Sequence, residues 1–268
     1  MTRLTEADVT ALTRDLEAFE ARLREATGLD LRTLALRSTV EEDRCVGLRG
    51  SRMAAVPMSS GEGVIPGFTE CVVAILQHLG CDAWATTQPD VRGMEAAVAA
   101  GAEILFLADD QRFIALSLTK ASVVDDDPAT ADGYATALRA AAGDLEGRDV
   151  LLLGLGPVGR AAARRLTAFG ASVLVSEPDG ERISTAREVG IEVEPVDLAA
   201  GLARCDLIFD ASPAAGIIDA GDLKPGTIAA VPGVPSAFTA AAQEALGVRH
   251  IHEPLAVGVA VMAARALL

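Results

Sequence analysis

Three glycines closing an apolar run are the residues whose type and spacing point most directly to chemistry. Asp149-Val150-Leu151-Leu152-Leu153 leads into Gly154-Leu155-Gly156-Pro157-Val158-Gly159, and a helix-forming run, Arg160 to Phe169, follows at once. In a strand–turn–helix of this kind, Gly154 permits the tight turn and Gly156 lets the backbone approach a pyrophosphate. Gly159 lets helix and strand pack closely. The phosphates sit at the helix N-terminus, where free N–H groups and the helix dipole favour negative charge. Pro157 removes one donor but suits the first helical position. The context separates this pattern from a structural glycine turn. A second strand, Ala171 to Ser176, ends at Glu177, and Pro178-Asp179-Gly180 turns away. A carboxylate about 20 residues past the glycines is where a ribose-binding acid belongs, and it favours NAD over a 2′-phosphorylated cofactor. The expected cofactor site is Gly154, Leu155, Gly156, Pro157, Val158, Gly159 and Glu177.

Further candidates stand where apolar runs end. Ser59, Ser60 and Gly61 follow Met53–Met58, Asp90 follows Asp82–Thr86, and Asp109 follows Ile104–Ala108. In the second half, Ser212 and Pro213 follow Asp206–Asp210, Pro232 and Gly233 follow Thr227–Val231, and Glu253 follows Val248–His252. Ligands of parallel sheets bind beyond the carboxyl ends of the strands, so these residues form the candidate site edge. Ser212, Pro213, Pro232 and Gly233, which follow strands of the second half, are assigned to the cofactor, and Asp90 and the other first-half residues stand at the sheet edge where a substrate can bind. Bland alternatives stand beside each: a helix cap for Asp109, a surface ion pair for Glu253, a plain turn for the serines. Side chains alternate along an extended segment, so His252 faces away from whatever Glu253 faces.

The elements that must position these residues alternate strand, loop and helix. That pattern implies an α/β fold with parallel sheets and right-handed crossovers. At the N-terminus, Thr5 caps a helix with Asp8 at a capping-box position and a Leu4–Val9 staple. Val9, Leu12, Leu16, Phe19 and Leu23 recur at helical spacing, and Gly28 ends the helix. The run Asp125-Asp126-Asp127-Pro128 is expected to be a solvated linker, with Thr130 capping the helix through Ala142 that joins the domains. The expected organisation is a smaller α/β substrate domain with an N-terminal helix over 1–128. A connecting helix and a Rossmann domain of strand order 3-2-1-4-5-6 follow over 129–268. The segment Leu255 to Leu268 is helical and placed to return to the first domain.

Composition sets limits on this reading. The chain has 268 residues, 50% of them hydrophobic but only 3% aromatic, so its core is built from Ala, Val, Leu and Ile. A net charge of −15 argues against nucleic acid or an anionic membrane surface as partner; it is compatible with a cationic, amine-bearing small molecule, although acidity more often serves solubility. Cys45, Cys71, Cys81 and Cys205 show no paired spacing, and His78, His250 and His252 form no metal-ligand motif. Free thiols, no metal, no membrane span and a cytoplasmic location are expected. A homo-oligomer is compatible with the sequence.

Six stretches together resemble the PylD family, NAD-dependent dehydrogenases of the last step of pyrrolysine biosynthesis. They are Val56 to Ile65, Pro89 to Gly93, Leu107 to Asp110, Gly154 to Gly159, Pro232 to Pro235 and Glu253 to Gly258. The resemblance runs the length of the chain. It departs at Pro157, where the family leads one to expect lysine, and at Glu177, where it leads one to expect aspartate. It implies an amino-acid substrate, lysine joined through its ε-nitrogen to 3-methyl-D-ornithine, oxidised at the carbon bearing the terminal amine. It further implies that Asp109 and Glu253 hold the substrate's ammonium groups as the catalytic pair, in a cleft that both strand edges face. Ser59, Ser60 and the Gly61 backbone then meet the lysine carboxylate. Two other readings are compatible with the residues. One is a shikimate- or amino-acid-dehydrogenase-like enzyme, for which Lys120 is the sole candidate catalytic lysine. The other is a non-catalytic NAD sensor.

Overall fold

The apolar runs of the two halves form two separate sheets. The structure, a computed structural model, describes residues 6–39 and 47–268, with side chains from residue 16 onward. Thr5, the Leu4–Val9 staple and Cys45 lie outside what is described. Its contacts divide the chain into two units. The first holds residues 1–20, 31–130 and 255–268, and the second 21–30 and 131–254.

Helices α1 (Glu6–Thr27) and α2 (Leu31–Thr39) come first. Gly28, at φ +71°, ends α1 by donating its N–H to the Arg24 carbonyl. Strand β1 (Arg52–Pro57), α3 (Phe68–His78), β2 (Asp82–Ala85), α4 (Asp90–Ala99) and β3 (Ile104–Ala108) follow as two strand–helix–strand units. Both β2 and β3 pair with β1 in parallel, as the alternation requires. The sheet then changes character. Strands β4 (Phe113–Ser117) and β5 (Ser122–Asp125) extend it antiparallel, giving the order β2-β1-β3-β4-β5. These two strands were not expected from the sequence, although Phe113-Ile114-Ala115-Leu116 is an apolar run bounded by polar turns.

The acidic run is not a linker. Asp125 ends β5, and α5 (Asp126–Ala142) starts at the next residue. Acids in a first helical turn face the positive end of the helix dipole, and proline is tolerated there because its missing N–H has no partner in any case. Thr130 therefore lies inside the helix, donating its hydroxyl to Asp126 Oδ1 at 3.0 Å rather than capping the backbone.

The second unit carries β6 (Asp149–Leu153), α6 (Pro157–Ala168), β7 (Ser172–Ser176), α7 (Gly180–Glu188) and β8 (Glu194–Pro195). It continues with α8 (Leu198–Arg204), β9 (Leu207–Asp210), β10 (Ile228–Ala230), α9 (Ala240–Leu246) and β11 (His250–Ile251). The sheet order is β11-β10-β9-β6-β7-β8, and every pairing is parallel. Renumbered within the unit this is 3-2-1-4-5-6, the doubly wound order of a Rossmann domain. Leu151, Leu153, Leu174, Ile208 and Phe238 centre one of its buried clusters. The last helix, α10 (Ala256–Ala266), is buried along nearly its whole length and packs on α2, α3, β4 and β5. It thus counts with the first unit, whereas the division at 129–268 read from the sequence grouped it with the Rossmann strands.

Candidate active site

Each glycine of the turn has a steric reason to be glycine. Gly154 adopts φ +85°, and a Cβ there would lie 2.8 Å from the Ala211 carbonyl oxygen of the neighbouring strand's loop. A Cβ on Gly159 would collide with the Gly154 carbonyl, so the α6 backbone can rest against the turn only without one. Gly156 has open space where its Cβ would be. It is also the N-cap of α6 and offers no side-chain cap, with Pro157 at the first position. An α6 N-terminus without a side-chain cap, beside a glycine with open space, leaves room for a pyrophosphate. Although Pro157 supplies no charge, Arg160 donates Nη1 to the Leu155 carbonyl at 3.0 Å, which places a guanidinium at the turn.

Glu177 does more than await a ribose. Its side chain is only 3% exposed. One oxygen accepts the Leu155 N–H at 2.8 Å, the other accepts the Asp179 N–H at 3.0 Å, and Arg182 Nη1 stands 3.5 Å away. The carboxylate ties the glycine turn to the end of β7. Its two oxygens offer about four lone-pair sites in all, which leaves acceptor capacity for a ribose hydroxyl.

At the ends of β9 and β10 the backbone is laced together by a residue the sequence reading passed over. Asp210 is fully buried. Its Oδ1 accepts from the Ser212 N–H at 3.1 Å and the Ser212 hydroxyl at 2.7 Å, and its Oδ2 accepts the Ala237 N–H at 2.9 Å. The Gly233 N–H donates to the Asp210 carbonyl at 3.0 Å. A Cβ on Gly233 would sit 2.7 Å from the Ser212 carbonyl oxygen, so Ser212 and Gly233 are packed backbone to backbone. Pro213 is exposed and Pro232 half-buried beside them. Burial pushes the Asp210 carboxyl up, against the pull of its hydrogen bonds and of His252. The available signal was an acid closing the apolar run Leu207-Ile208-Phe209.

His252 donates from Nδ1 to the Val231 carbonyl at 2.7 Å, and burial lowers its pKa. The same cause takes His250 down to about 4, with the nearby charges of His252 and Arg22 acting in the same direction. The His250 ring rests edge-on against Phe238 and 5.4 Å from the His252 ring. Glu253 is 9% exposed, and its backbone is held by the hydroxyl of Tyr134, the chain's only tyrosine. That hydroxyl donates to the Glu253 carbonyl at 2.5 Å and accepts the Glu253 N–H at 2.9 Å.

In the first unit the expected substrate residues gather at the ends of β1, β2 and β3, but several are committed to one another. Asp90 adopts φ +54° at the start of α4. Its oxygens accept the Ser59 N–H at 2.8 Å and the Ser59 hydroxyl at 2.5 Å, and these bonds hold its pKa below the usual carboxylate range. Gly61 packs against the Asp110 carboxylate, which also accepts the Glu62 N–H at 2.6 Å. Ser60 is exposed and accepts the Gly63 N–H on its carbonyl. The loop from Ser59 to Gly63 is thus clamped by two carboxylates, and the Ser59 hydroxyl donates to Asp90. Asp109 Oδ1 accepts the Gln111 and Arg112 N–H groups, both at 2.8 Å, closing the β3–β4 turn. Its Oδ2 has no hydrogen-bond partner among the described residues. Lys120 lies exposed in the β4–β5 turn. No described His, Cys, Asp and Glu side chains cluster as a metal site. No described helix is long and apolar enough to cross a membrane, and Cys71, Cys81 and Cys205 are buried free thiols.

The chain is 33% identical over 264 residues to the pyrrolysine synthase of Methanosarcina acetivorans, covering 98% of each protein. It belongs to the pyrrolysine synthase family. The Methanosarcina barkeri pyrrolysine synthase is 32% identical, with 98% of this chain and 97% of that one covered. Residues 8–124 match the model for the N-terminal domain of pyrrolysine biosynthesis protein PylD. Residues 114–220 match the NAD-binding domain of the D-isomer-specific 2-hydroxyacid dehydrogenases. The fold resembles quinate dehydrogenase from Corynebacterium glutamicum in complex with NAD, at TM-score 0.53 and 16% identity over 82% of this chain and 94% of that one. It equally resembles shikimate dehydrogenase from Aquifex aeolicus, at TM-score 0.53 and 11% identity over 80% and 91% of the two chains. At those identities the likeness concerns fold alone. This member of the family is an oxidoreductase with a Rossmann-type NAD-binding domain, and NAD is its cofactor.

Proposed function

We propose that this protein performs the last step of pyrrolysine biosynthesis. It oxidises the carbon bearing the terminal amine of L-lysine-Nε-3-methyl-D-ornithine, and ring closure with loss of ammonia gives L-pyrrolysine. The observation that carries this reading is the identity to pyrrolysine synthases across 98% of both lengths, joined to an intact dinucleotide turn. Bound NAD supplies the two-electron acceptor. The terminal ammonium loses a proton and its carbon becomes an imine. The ornithine α-amine adds to that carbon, and the original nitrogen departs as ammonium. Two protons leave overall, one before oxidation and one on ring closure.

The residues of the chain bind and orient. The N-terminus of α6 and the Gly156 backbone take the pyrophosphate, Glu177 takes the adenosine ribose, and Ser212, Pro213, Pro232 and Gly233 border the nicotinamide. Asp109 and Glu253 hold the ammonium groups, as a polycationic substrate requires. Asp109 suits the role because only Oδ1 is spent on its turn. Ser60, Gly61 and Asp90 complete the substrate site, with Asp90 acting through Ser59. NADH formation on mixing enzyme, NAD and the synthetic dipeptide-like substrate tests the reading. Turnover of quinate or shikimate in its place would overturn it.

A further inference from the structure

We infer that Asp210 is a positioning residue for the nicotinamide end of the cofactor, holding the loops after β9 and β10 in one fixed arrangement. The inference rests on the assignment of Ser212 and Gly233 to the cofactor. A fully buried carboxylate is costly unless its lone pairs are engaged. Here its oxygens accept from Ser212 and Ala237, which lie in those two loops, rather than from a helix terminus or a cationic side chain. The Asp210 main chain adds the Gly233 N–H, and Gly233 packs directly on Ser212. The three points anchored are therefore the turn just past β9, the residue that nearly touches it after β10, and the far end of the β10 loop at Ala237. The hydrogen bonds of Asp210 are spent on the shape of the sheet's carboxyl edge, where a Rossmann domain receives its cofactor.

Asparagine cannot replace this residue. Asp210 accepts on both oxygens, whereas an amide has one acceptor and would set its NH2 against either the Ala237 N–H or the Ser212 donors. Asp210→Asn is the test, read by titration calorimetry as well as kinetics. ADP-ribose contains the turn-bound half of NAD but no nicotinamide. Its Kd should stay within about two-fold of wild type, while the variant loses the added affinity of NAD over ADP-ribose. kcat at saturating NAD should fall at least about ten-fold, the scale of losing a bond to a charged group. Ser212→Ala removes one donor and leaves the carboxylate, so it should shift the same readings by a smaller factor and serves if Asp210→Asn does not fold. Folded variants with wild-type kcat and an unchanged NAD to ADP-ribose affinity ratio would overturn the inference. Hydrogen exchange on the wild type separates its failure from that of the underlying assignment. If NAD protects no amide in 211–213 or 232–237, the assignment itself fails. If it protects them and Asp210→Asn is still silent, only the positioning role does.

Discussion

Removing one hydroxyl, that of Tyr134, should loosen Glu253 without touching its side chain. Tyr134 is 1% exposed, so Tyr134→Phe keeps the ring in its packing and deletes a single buried oxygen. That oxygen makes two bonds to one residue, donating to the Glu253 carbonyl and accepting its N–H. A buried bond whose partner is removed costs about 1–3 kcal/mol, so the pair amounts to about 2–4 kcal/mol once partial relaxation is allowed. The loss should be local, because Glu253 begins the segment that leaves β11. Hydrogen exchange resolved to single residues is the assay. The Glu253 amide should exchange at least about thirty-fold faster, corresponding to about 2 kcal/mol, while the β6 and β9 amides keep their protection. With Glu253 holding a substrate ammonium, KM for the lysine–ornithine substrate should rise and Kd for NAD should not. Unchanged exchange at Glu253 together with unchanged KM would show that the Tyr134 hydroxyl does not hold Glu253 in place.

Acid should act on the two units in opposite directions. His250 titrates at 6.5 when unfolded and at about 4 when folded, so the unfolded second unit binds the extra proton and that unit loses stability as pH falls from 6.5 towards 4. The full loss is about 3 kcal/mol, and urea unfolding of His250→Gln should show a flatter dependence over that window. Asp126, enclosed beside Gly258 and pushed up to about 7 by burial, retains its proton when folded. The first unit should therefore gain stability on acidification from pH 7 to 3.8, and exchange at β1 and β3 should slow, after correction for intrinsic rates, unless Asp126→Asn is present. Glu177→Ala should shrink the preference for NAD over NADP by about ten-fold or more, since the charge repelling a 2′-phosphate is gone and Arg182 is released. An unaltered ratio of kcat/KM values would remove Glu177 from cofactor choice. Asp109→Asn keeps an oxygen for the Gln111 and Arg112 N–H groups, so the hairpin should survive. It and Glu253→Gln should each cost about 1.5–3 kcal/mol in kcat/KM with NAD affinity intact, and wild-type kinetics in both would return these residues to structural roles.

What the sequence revealed follows from how local the signals were. The strand–glycine turn–helix and the parallel Rossmann order were legible because strand, turn and helix follow one another within a few dozen residues. Strands β4 and β5 were missed because an antiparallel extension leaves no helix between strands to mark it. Asp126 and Asp127 looked like linker because charge runs are usually solvated, whereas here they open α5, with Asp126 enclosed and bonded to the Thr130 hydroxyl. Asp210 escaped notice because its partners, Ser212 and Ala237, are brought together only by two loops from different strands. For the same reason Ser59 read as a ligand-binding hydroxyl, although Asp90, thirty-one positions on, takes its proton in a hydrogen bond.

Which nitrogen leaves distinguishes this ring closure from any other route. The substrate, carrying heavy nitrogen only at the ornithine's terminal amine, is incubated with the enzyme and NAD, and products are read by mass spectrometry. One NADH and one labelled ammonium per turnover are expected, with pyrrolysine at its unlabelled mass because the ring nitrogen comes from the α-amine. Labelled pyrrolysine, or an oxidised product that keeps both amines, would contradict that expectation.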